Sequence, residues 1–195
     1  HLLTHTSGIY SFQSDEDFRA KPGYHSPEEL ISVARSHGNG FCPGEYWSYC
    51  NTGYVMLGRI VEKIEGRPFH ESVNARVIER LELKHTQALA PREKPAGLAE
   101  PHPSDPQEAA RAPSISTPYA AGPIVAMAED MVRFWHALLG GKLLKPATVR
   151  DQFERLYPMF DGGTFYGRGV MLYDVPDQDG KRLTWLGHGG GAPGT

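Results

Sequence analysis

The 195-residue sequence has no apolar run long enough to cross a lipid bilayer, which takes about 20 such residues. It also has no cluster of basic residues, since 20 Lys and Arg are outweighed by 23 Asp and Glu. The net charge of −3 makes nucleic acids and anionic membrane surfaces poor candidates as partners. Cysteine is scarce. Cys42 and Cys50 could pair across a Pro-Gly turn, but two cysteines do not identify a cellular compartment, and localisation stays open.

The sequence also lacks an initiating methionine, and its first residues do not form a signal peptide. We therefore expect the chain to be part of a longer protein. With 39% hydrophobic residues, it can bury a core as one domain or a large part of one. We expect this partial domain to cover residues 1–195, with a mostly helical region at 1–160 and a sheet hairpin at 161–195.

Local patterns predict several elements. Ser26, Pro27 and Glu29 form a helix start, in which Ser caps, Pro takes the first position and Glu completes a capping box. Seven prolines between residues 91 and 118 predict a long surface loop. Beyond residue 160 the hydrophobic period changes to two. Segments 166–174 and 182–186 flank an Asp-Gln-Asp-Gly turn, which predicts an antiparallel hairpin.

The stretch at 43–54, PGEYWSYCNTGY, leads into an amphipathic segment at 52–65. Asn51 stands where a helix N-cap belongs, because Asn accepts hydrogen bonds from the free amides of a first turn. This geometry predicts that Tyr49 and Asn51 lie just outside a rigid helix end, where a phenol and an amide can face a cleft. Taken alone, a Tyr-x-Asn pattern is more often a cap beside a packed aromatic ring.

The glycine-rich end also has competing interpretations. Residues 189–194 satisfy the dinucleotide pattern Gly-x-Gly-x-x-Gly, but that fingerprint needs a helix directly after it within a βαβ unit. Pro193 interrupts the segment, so we reject this interpretation. A simple glycine-rich turn stays open as the structural alternative.

Three stretches together resemble the class C β-lactamase-like serine hydrolases, a superfamily with penicillin-binding proteins, D-alanyl-D-alanine carboxypeptidases and esterases. They are HLLTHTSGI at 1–9, the pattern PGxxWxYxNxGYxxxG at 43–58, and His-Gly-Gly at 188–190. The last is similar to the family's Lys/His-Ser/Thr-Gly motif, although Gly189 stands where Ser or Thr is commoner. The resemblance implies an α/β fold of the α+β type, with a helical region packed on an antiparallel sheet and incomplete at both ends.

The resemblance also implies roles for individual residues. Tyr49 would be general base and acid, Asn51 a contact to a substrate amide or lysine, and His188 an electrostatic or hydrogen-bonding partner. The Gly191 amide would donate to an oxyanion, with Gly189 and Gly190 lining the substrate site. Tyr49 and Asn51 should then lie within one side-chain length of residues 188–191. The substrate would be a small-molecule ester, β-lactam or D-amino-acid peptide, with no metal or organic cofactor.

The family's Ser-x-x-Lys nucleophile motif does not occur in the sequence. We therefore expect the nucleophile to come from an upstream segment of the same protein, and the 195 residues alone to be inactive. A second hypothesis is a non-catalytic relative that keeps the pocket and binds a ligand or partner. A third is an unrelated hydrolase that uses Ser7 with His5. This hypothesis is disfavoured because neighbouring positions of a strand or helix seldom face each other correctly.

Overall fold

The computed structural model describes residues 1–99, 102, 114, 116–160 and 162–191. Its α-helices are α1 (Glu16–Arg19), α2 (Pro27–His37), α3 (Asn51–Glu65), α4 (Phe69–Val73), α5 (Ala128–Leu139) and α6 (Pro146–Asp151). Helix α4 continues into a π-helical turn, and short 3-10 turns lie at Phe12–Ser14 and Tyr119–Ala121. The strands are β1 (Thr86–Ala88), β2 (Ile124–Ala126), β3 (Tyr157–Pro158), β4 (Thr164–Tyr166), β5 (Met171–Pro176) and β6 (Arg182–Gly187).

The start of α2 confirms the predicted capping box. The Ser26 hydroxyl accepts from the Glu29 amide at 3.2 Å, and the Glu29 carboxylate accepts from the Ser26 amide at 2.7 Å. Pro27 takes the first helical position. A backbone N–H at this position has no partner within the helix, so the missing N–H of proline costs no hydrogen bond. The helix ends at Gly38.

Helix α3 lies against α2 and the 3-10 turn at Tyr119–Ala121. A Cβ on Gly58 would lie 2.4 Å from the Ala120 Cβ, so only glycine permits this approach. Beside it, a hydrophobic core of fully buried side chains joins the first helices: Phe12, Phe18, Leu30 and Val55. This core fixes α3, and therefore the segment that enters it, against the rest of the helical region.

The larger sheet is antiparallel, with strand order β3-β4-β5-β6. The predicted hairpin is confirmed: β5 pairs with β6, from Met171 opposite Gly187 to Pro176 opposite Arg182. However, the predicted first strand is two strands, because the chain turns tightly between Tyr166 and Met171. Gly167 permits this turn, since a Cβ there would lie 2.2 Å from the Gln152 carbonyl oxygen.

Cys42 is exposed, Cys50 is buried, and both are free thiols. None of the helices in the described ranges combines the length and apolar character of a membrane span. Much of the proline-rich segment predicted as a loop, at 91–118, lies outside the described residues.

Candidate active site

Segments distant in sequence meet at one end of the larger sheet: the turn at 1–8, the loop entering α3, and the ends of β4 and β6. His5 lies at their centre and is 1% exposed. Its ring centroid is 4.1 Å from that of Tyr49, 4.5 Å from Tyr166 and 5.1 Å from Tyr54. With His188, which contacts Tyr49 and Tyr166, these residues form what we call the aromatic cluster.

His5 is bonded to the loop on either side of Tyr49. Its carbonyl oxygen accepts from the Ser48 amide at 2.9 Å, and its Nδ1 accepts from the Cys50 amide at 3.0 Å. Burial lowers the pKa of His5 to about 4, with a smaller contribution from the charge of His188. The ring is therefore neutral near pH 7. Because Nδ1 accepts, the proton resides on Nε2, which has no hydrogen-bond partner among the described residues.

A chain of hydrogen bonds crosses the cluster from the helical region to the sheet. The Tyr54 hydroxyl donates to the Leu3 carbonyl at 3.0 Å and lies 3.1 Å from the Tyr166 hydroxyl. The Tyr166 hydroxyl in turn lies 3.1 Å from Nε2 of His188. Since Tyr54 has one proton and gives it to Leu3, Tyr166 must donate to Tyr54. Tyr166 then accepts from His188 Nε2.

The other nitrogen of His188 also faces an acceptor. Its Nδ1 lies 2.6 Å from the carbonyl oxygen of Gly189, which can only accept. Both ring nitrogens therefore face oxygen atoms that can accept a hydrogen bond. The His188 side chain is exposed.

The tyrosines of the cluster have different environments. Burial raises the pKa of Tyr54 to about 12, and burial together with the neighbouring Tyr54 raises the pKa of Tyr166 further still. Tyr166 is 1% exposed. Tyr49 is only half-buried, and burial raises its pKa. Its hydroxyl has no hydrogen bond within the described ranges, and its ring centroid lies 6.2 Å from that of His188.

Asn51 is placed differently from the sequence-based expectation. It is the first residue of α3, Cys50 occupies the N-cap, and no side chain caps the helix, so the predicted Asn51 cap is wrong. Residues outside α3 instead form hydrogen bonds with its first residue. The Asn51 amide donates to the Ser11 hydroxyl at 3.3 Å, and the Asn51 side chain donates to that of Gln13.

An open cleft lies along the β5–β6 hairpin and reaches Gly189, the first glycine after His188. Its volume is about 440 Å³, and the cleft is lined by Tyr173, Val175, Trp185, Leu186, Gly187, His188 and Gly189. A Cβ on Gly189 would lie 3.1 Å from the Tyr173 hydroxyl, which explains why a Ser or Thr does not fit here without rearrangement. Gly190 and Gly191 are exposed, with open space where a Cβ would lie.

The structure thus brings Tyr49 beside His188 as expected, whereas the hydrogen bond of the Asn51 side chain leads away to Gln13. Sequence reasoning missed Tyr54 and Tyr166 as parts of the site and considered His5 only as a partner of Ser7. The His1 ring lies 3.1 Å from the Thr6 hydroxyl. Across the described residues, no three His, Cys, Asp or Glu side chains are grouped to hold a metal ion.

The hypothesis of a Ser7–His5 pair finds no support in the geometry. The Ser7 hydroxyl accepts from the Ile9 amide at 3.4 Å, and Nδ1 of His5 is occupied by the Cys50 amide. No hydrogen bond joins the two side chains in the part of the chain that the structure describes. Ser7 is therefore not activated by His5 in this arrangement.

The solved structures similar to this chain show that its helices and antiparallel sheets form a β-lactamase/transpeptidase-like fold. The chain belongs to the Beta-lactamase family, whose model matches residues 1–195. The predicted family and fold class are both confirmed.

Similar proteins share this fold over nearly the whole chain. A D-stereospecific amidohydrolase from Streptomyces sp. matches with 30% identity and a TM-score of 0.85, covering 99% of this chain and 60% of that one. The D-amino acid amidase from Ochrobactrum anthropi SV3 matches with 25% identity and a TM-score of 0.83, covering 99% and 56%.

Curated relatives include a putative penicillin-binding protein and an esterase. The putative penicillin-binding protein PbpX of Bacillus subtilis is 28% identical, covering 88% of this chain and 41% of the relative. The lovastatin esterase of Penicillium rubens is also 28% identical, covering 95% and 57%. The chain therefore spans about half the length of the curated relatives that it matches.

Proposed function

We propose that the complete protein is a serine hydrolase that forms and then hydrolyses an acyl-enzyme. The observation that carries this proposal is the half-buried phenol of Tyr49 beside His188, in a chain of the Beta-lactamase family. The nucleophilic serine belongs to a part of the protein outside these 195 residues, since the sequence contains no Ser-x-x-Lys.

In this proposal Tyr49 transfers protons. As a phenolate it takes the proton of the serine hydroxyl while the serine oxygen bonds to the substrate's carbonyl carbon. It then returns that proton to the leaving group as the carbon–leaving-group bond breaks, and a water molecule later releases the acyl group by the same route in reverse. Free tyrosine has a pKa near 10, and burial raises that of Tyr49, so the phenolate needs a positive charge nearby.

His188 is our candidate for part of that positive charge. Both of its ring nitrogens face acceptors, and its ring lies 6.2 Å from Tyr49. An opposite charge at this distance favours the ionised form of a phenol. The Gly191 amide, in an exposed and open stretch, is the proposed oxyanion donor, and Gly189 and Gly190 line the acyl group. Asn51 contacts substrate in this proposal only if its side chain leaves Gln13.

We propose a small-molecule ester, β-lactam or D-amino-acid peptide as substrate. The names of the relatives support this range, since they include penicillin-binding proteins, an esterase and a D-amino acid amidase. The open cleft beside β6, of about 440 Å³, is large enough for a compact acyl group, and its lining includes His188 and Gly189 beside apolar and aromatic side chains.

Labelling with a fluorophosphonate probe tests the proposal on the complete protein. We expect one serine upstream of residue 1 to be labelled, and a β-lactam or activated ester to compete with the probe. Mapping the labelled peptide identifies that serine. Absence of labelling, together with binding of the same compounds without turnover, would favour the non-catalytic alternative.

A further inference from the structure

His5 holds the loop that carries Tyr49 from both sides. The bond from the Ser48 amide to the His5 carbonyl and the bond from the Cys50 amide to His5 Nδ1 measure 2.9 and 3.0 Å. Between these two bonds, the Tyr49 ring lies on the imidazole with an interplanar angle of 37°. A single residue therefore contacts three consecutive residues of the loop.

We propose that His5 is a positioning residue for Tyr49, acting as a neutral acceptor that fixes the backbone and ring of the proton-transfer group. This inference rests on the proposed role of Tyr49 in proton transfer and adds a residue that positions Tyr49. Because the Tyr49 hydroxyl has no hydrogen bond within the described ranges, its position depends on the loop backbone and on ring packing. The ring nearest to Tyr49 is that of His5, at 4.1 Å, whereas those of Tyr166, His188 and Trp47 lie 6.1 to 6.5 Å away.

The backbone conformation of His5 also brings this residue into contact with the loop that carries Tyr49. His5 has φ of 56°, in the left-handed region that Asn, Asp and His tolerate better than other side chains. The turn is closed by the bond from the Thr6 amide to the His1 carbonyl at 3.0 Å and by the 2.9 Å contact between the Thr4 and Thr6 hydroxyls. This conformation allows both the carbonyl and the ring of one residue to face the Tyr49 loop.

The acceptor role requires an unprotonated Nδ1. The low pKa of His5, caused mainly by burial, satisfies this requirement at any pH well above 4. The titratable side chains in ring contact with His5 are Tyr49, Tyr54 and Tyr166, and the charge of His188 acts on it from the sheet. None of these groups is a carboxylate, and the charge of His188 opposes protonation of His5.

Two substitutions in the complete protein separate this role from simple packing. In His5→Asn the side-chain oxygen lies at the δ position, where it can replace Nδ1 as acceptor, and Asn tolerates the left-handed backbone. In His5→Gln the amide lies one atom further out and cannot replace Nδ1. We expect His5→Gln to lower kcat by about 100-fold with KM little changed, as for a misplaced catalytic group. His5→Asn should retain activity within about tenfold of the parent.

Hydrogen exchange measured residue by residue provides a readout that is independent of catalysis. The Cys50 amide should be protected in the parent and in His5→Asn, and should exchange rapidly in His5→Gln. If the Cys50 amide stays protected in folded His5→Gln, the inference is overturned. If protection is lost while kcat holds, Tyr49 does not need His5, and the inference also fails. Retained activity in Tyr49→Phe would instead refute the proposed role of Tyr49, whatever the exchange data show for His5.

Discussion

The two ends of the β5–β6 hairpin are built from different interactions. At the inner end, where β6 runs into His188, polar groups are bonded in an aromatic environment and the pKa of Tyr166 is raised mainly by burial. At the outer end, the half-buried Asp174 and the exposed Arg182 form an ion pair, and the arginine lowers the pKa of the aspartate. Burial determines the properties of the inner end, whereas solvent-exposed charge determines those of the outer end. Substitutions at the two ends should therefore differ in their effects on kcat and on stability.

The largest effect is expected from Tyr49→Phe in the complete protein. The substitution removes the proton-transfer oxygen and keeps the ring that packs on His5. Loss of one acid–base group costs about two to four orders of magnitude in kcat, or roughly 3–5 kcal/mol. The melting temperature should hold, because the Tyr49 hydroxyl makes no hydrogen bond within the described residues.

Tyr46→Phe is the matched control for that measurement. Tyr46 lies in the same loop, is 63% exposed and is outside the aromatic cluster. Its substitution should leave both kcat and melting temperature unchanged. If Tyr49→Phe behaves like Tyr46→Phe, the inner end of the hairpin is a packed aromatic cluster without proton-transfer chemistry.

The next effect concerns pH and stability. His5 has a folded-state pKa of about 4 against an ordinary value of 6.5, so between these values the unfolded chain binds more protons. The stability that a neutral, buried His5 provides is complete above pH 6.5. It is lost as pH falls through 6.5 towards 4, by about 3 kcal/mol in total. Urea unfolding of the complete protein at a series of pH values measures this slope.

Substituting His5 separates its contribution to the pH dependence of stability from the contributions of other titrating groups. His5→Asn should flatten the stability profile between pH 6.5 and 4. His136→Asn, at an exposed position of α5, should leave the profile like that of the parent. Equal slopes in the parent and in His5→Asn would contradict a buried neutral His5.

Tyr166→Phe should have a smaller effect on folding. The hydroxyl links Tyr54 to His188, and its loss leaves the Nε2–H of His188 without its acceptor. We expect a loss of about 1 kcal/mol in the free energy of unfolding, because water can replace the acceptor at the exposed His188, and a fall in kcat of roughly tenfold as His188 loses its fixed orientation. Tyr157→Phe, in β3 of the same sheet, is the control, since its hydroxyl has no hydrogen bond within the described ranges.

The sequence predicts best what is local. The capping box at Ser26 and Glu29 and the β5–β6 hairpin depend on residues a few positions apart, and both are confirmed. The predicted Asn51 cap is wrong because Asn51 is the first helical residue; its backbone amide donates to Ser11 and its side-chain amide to Gln13, 40 and 38 positions upstream.

The site itself is harder to predict for the same reason. Tyr49 and His188 were found because short motifs surround both of them. Tyr166 has no such motif, and its role depends on the antiparallel pairing that brings β4 beside β5 and β6. The sequence suggests His5 only as a partner for Ser7, whereas its hydrogen bonds are with the loop at 48–50. Such contacts follow from tertiary packing, which no local pattern encodes.

The smallest effect is expected at the outer end of the hairpin, from Arg182→Ala. Nε of Arg182 donates to both Asp174 carboxylate oxygens, at 2.9 and 3.0 Å, and the geometry is good. Yet the arginine side chain is 61% exposed, so water and salt screen the attraction and most of its strength is lost. We expect kcat to stay at the parental value and the melting temperature to fall slightly at low salt and not at all at high salt. A thermal shift assay across a salt series measures this, with Arg133→Ala, which removes an exposed ion pair on α5, as the comparison. If Arg182→Ala lowers kcat as Tyr166→Phe does, the two ends of the hairpin are coupled, and the division between a desolvated inner end and a solvated outer end is wrong.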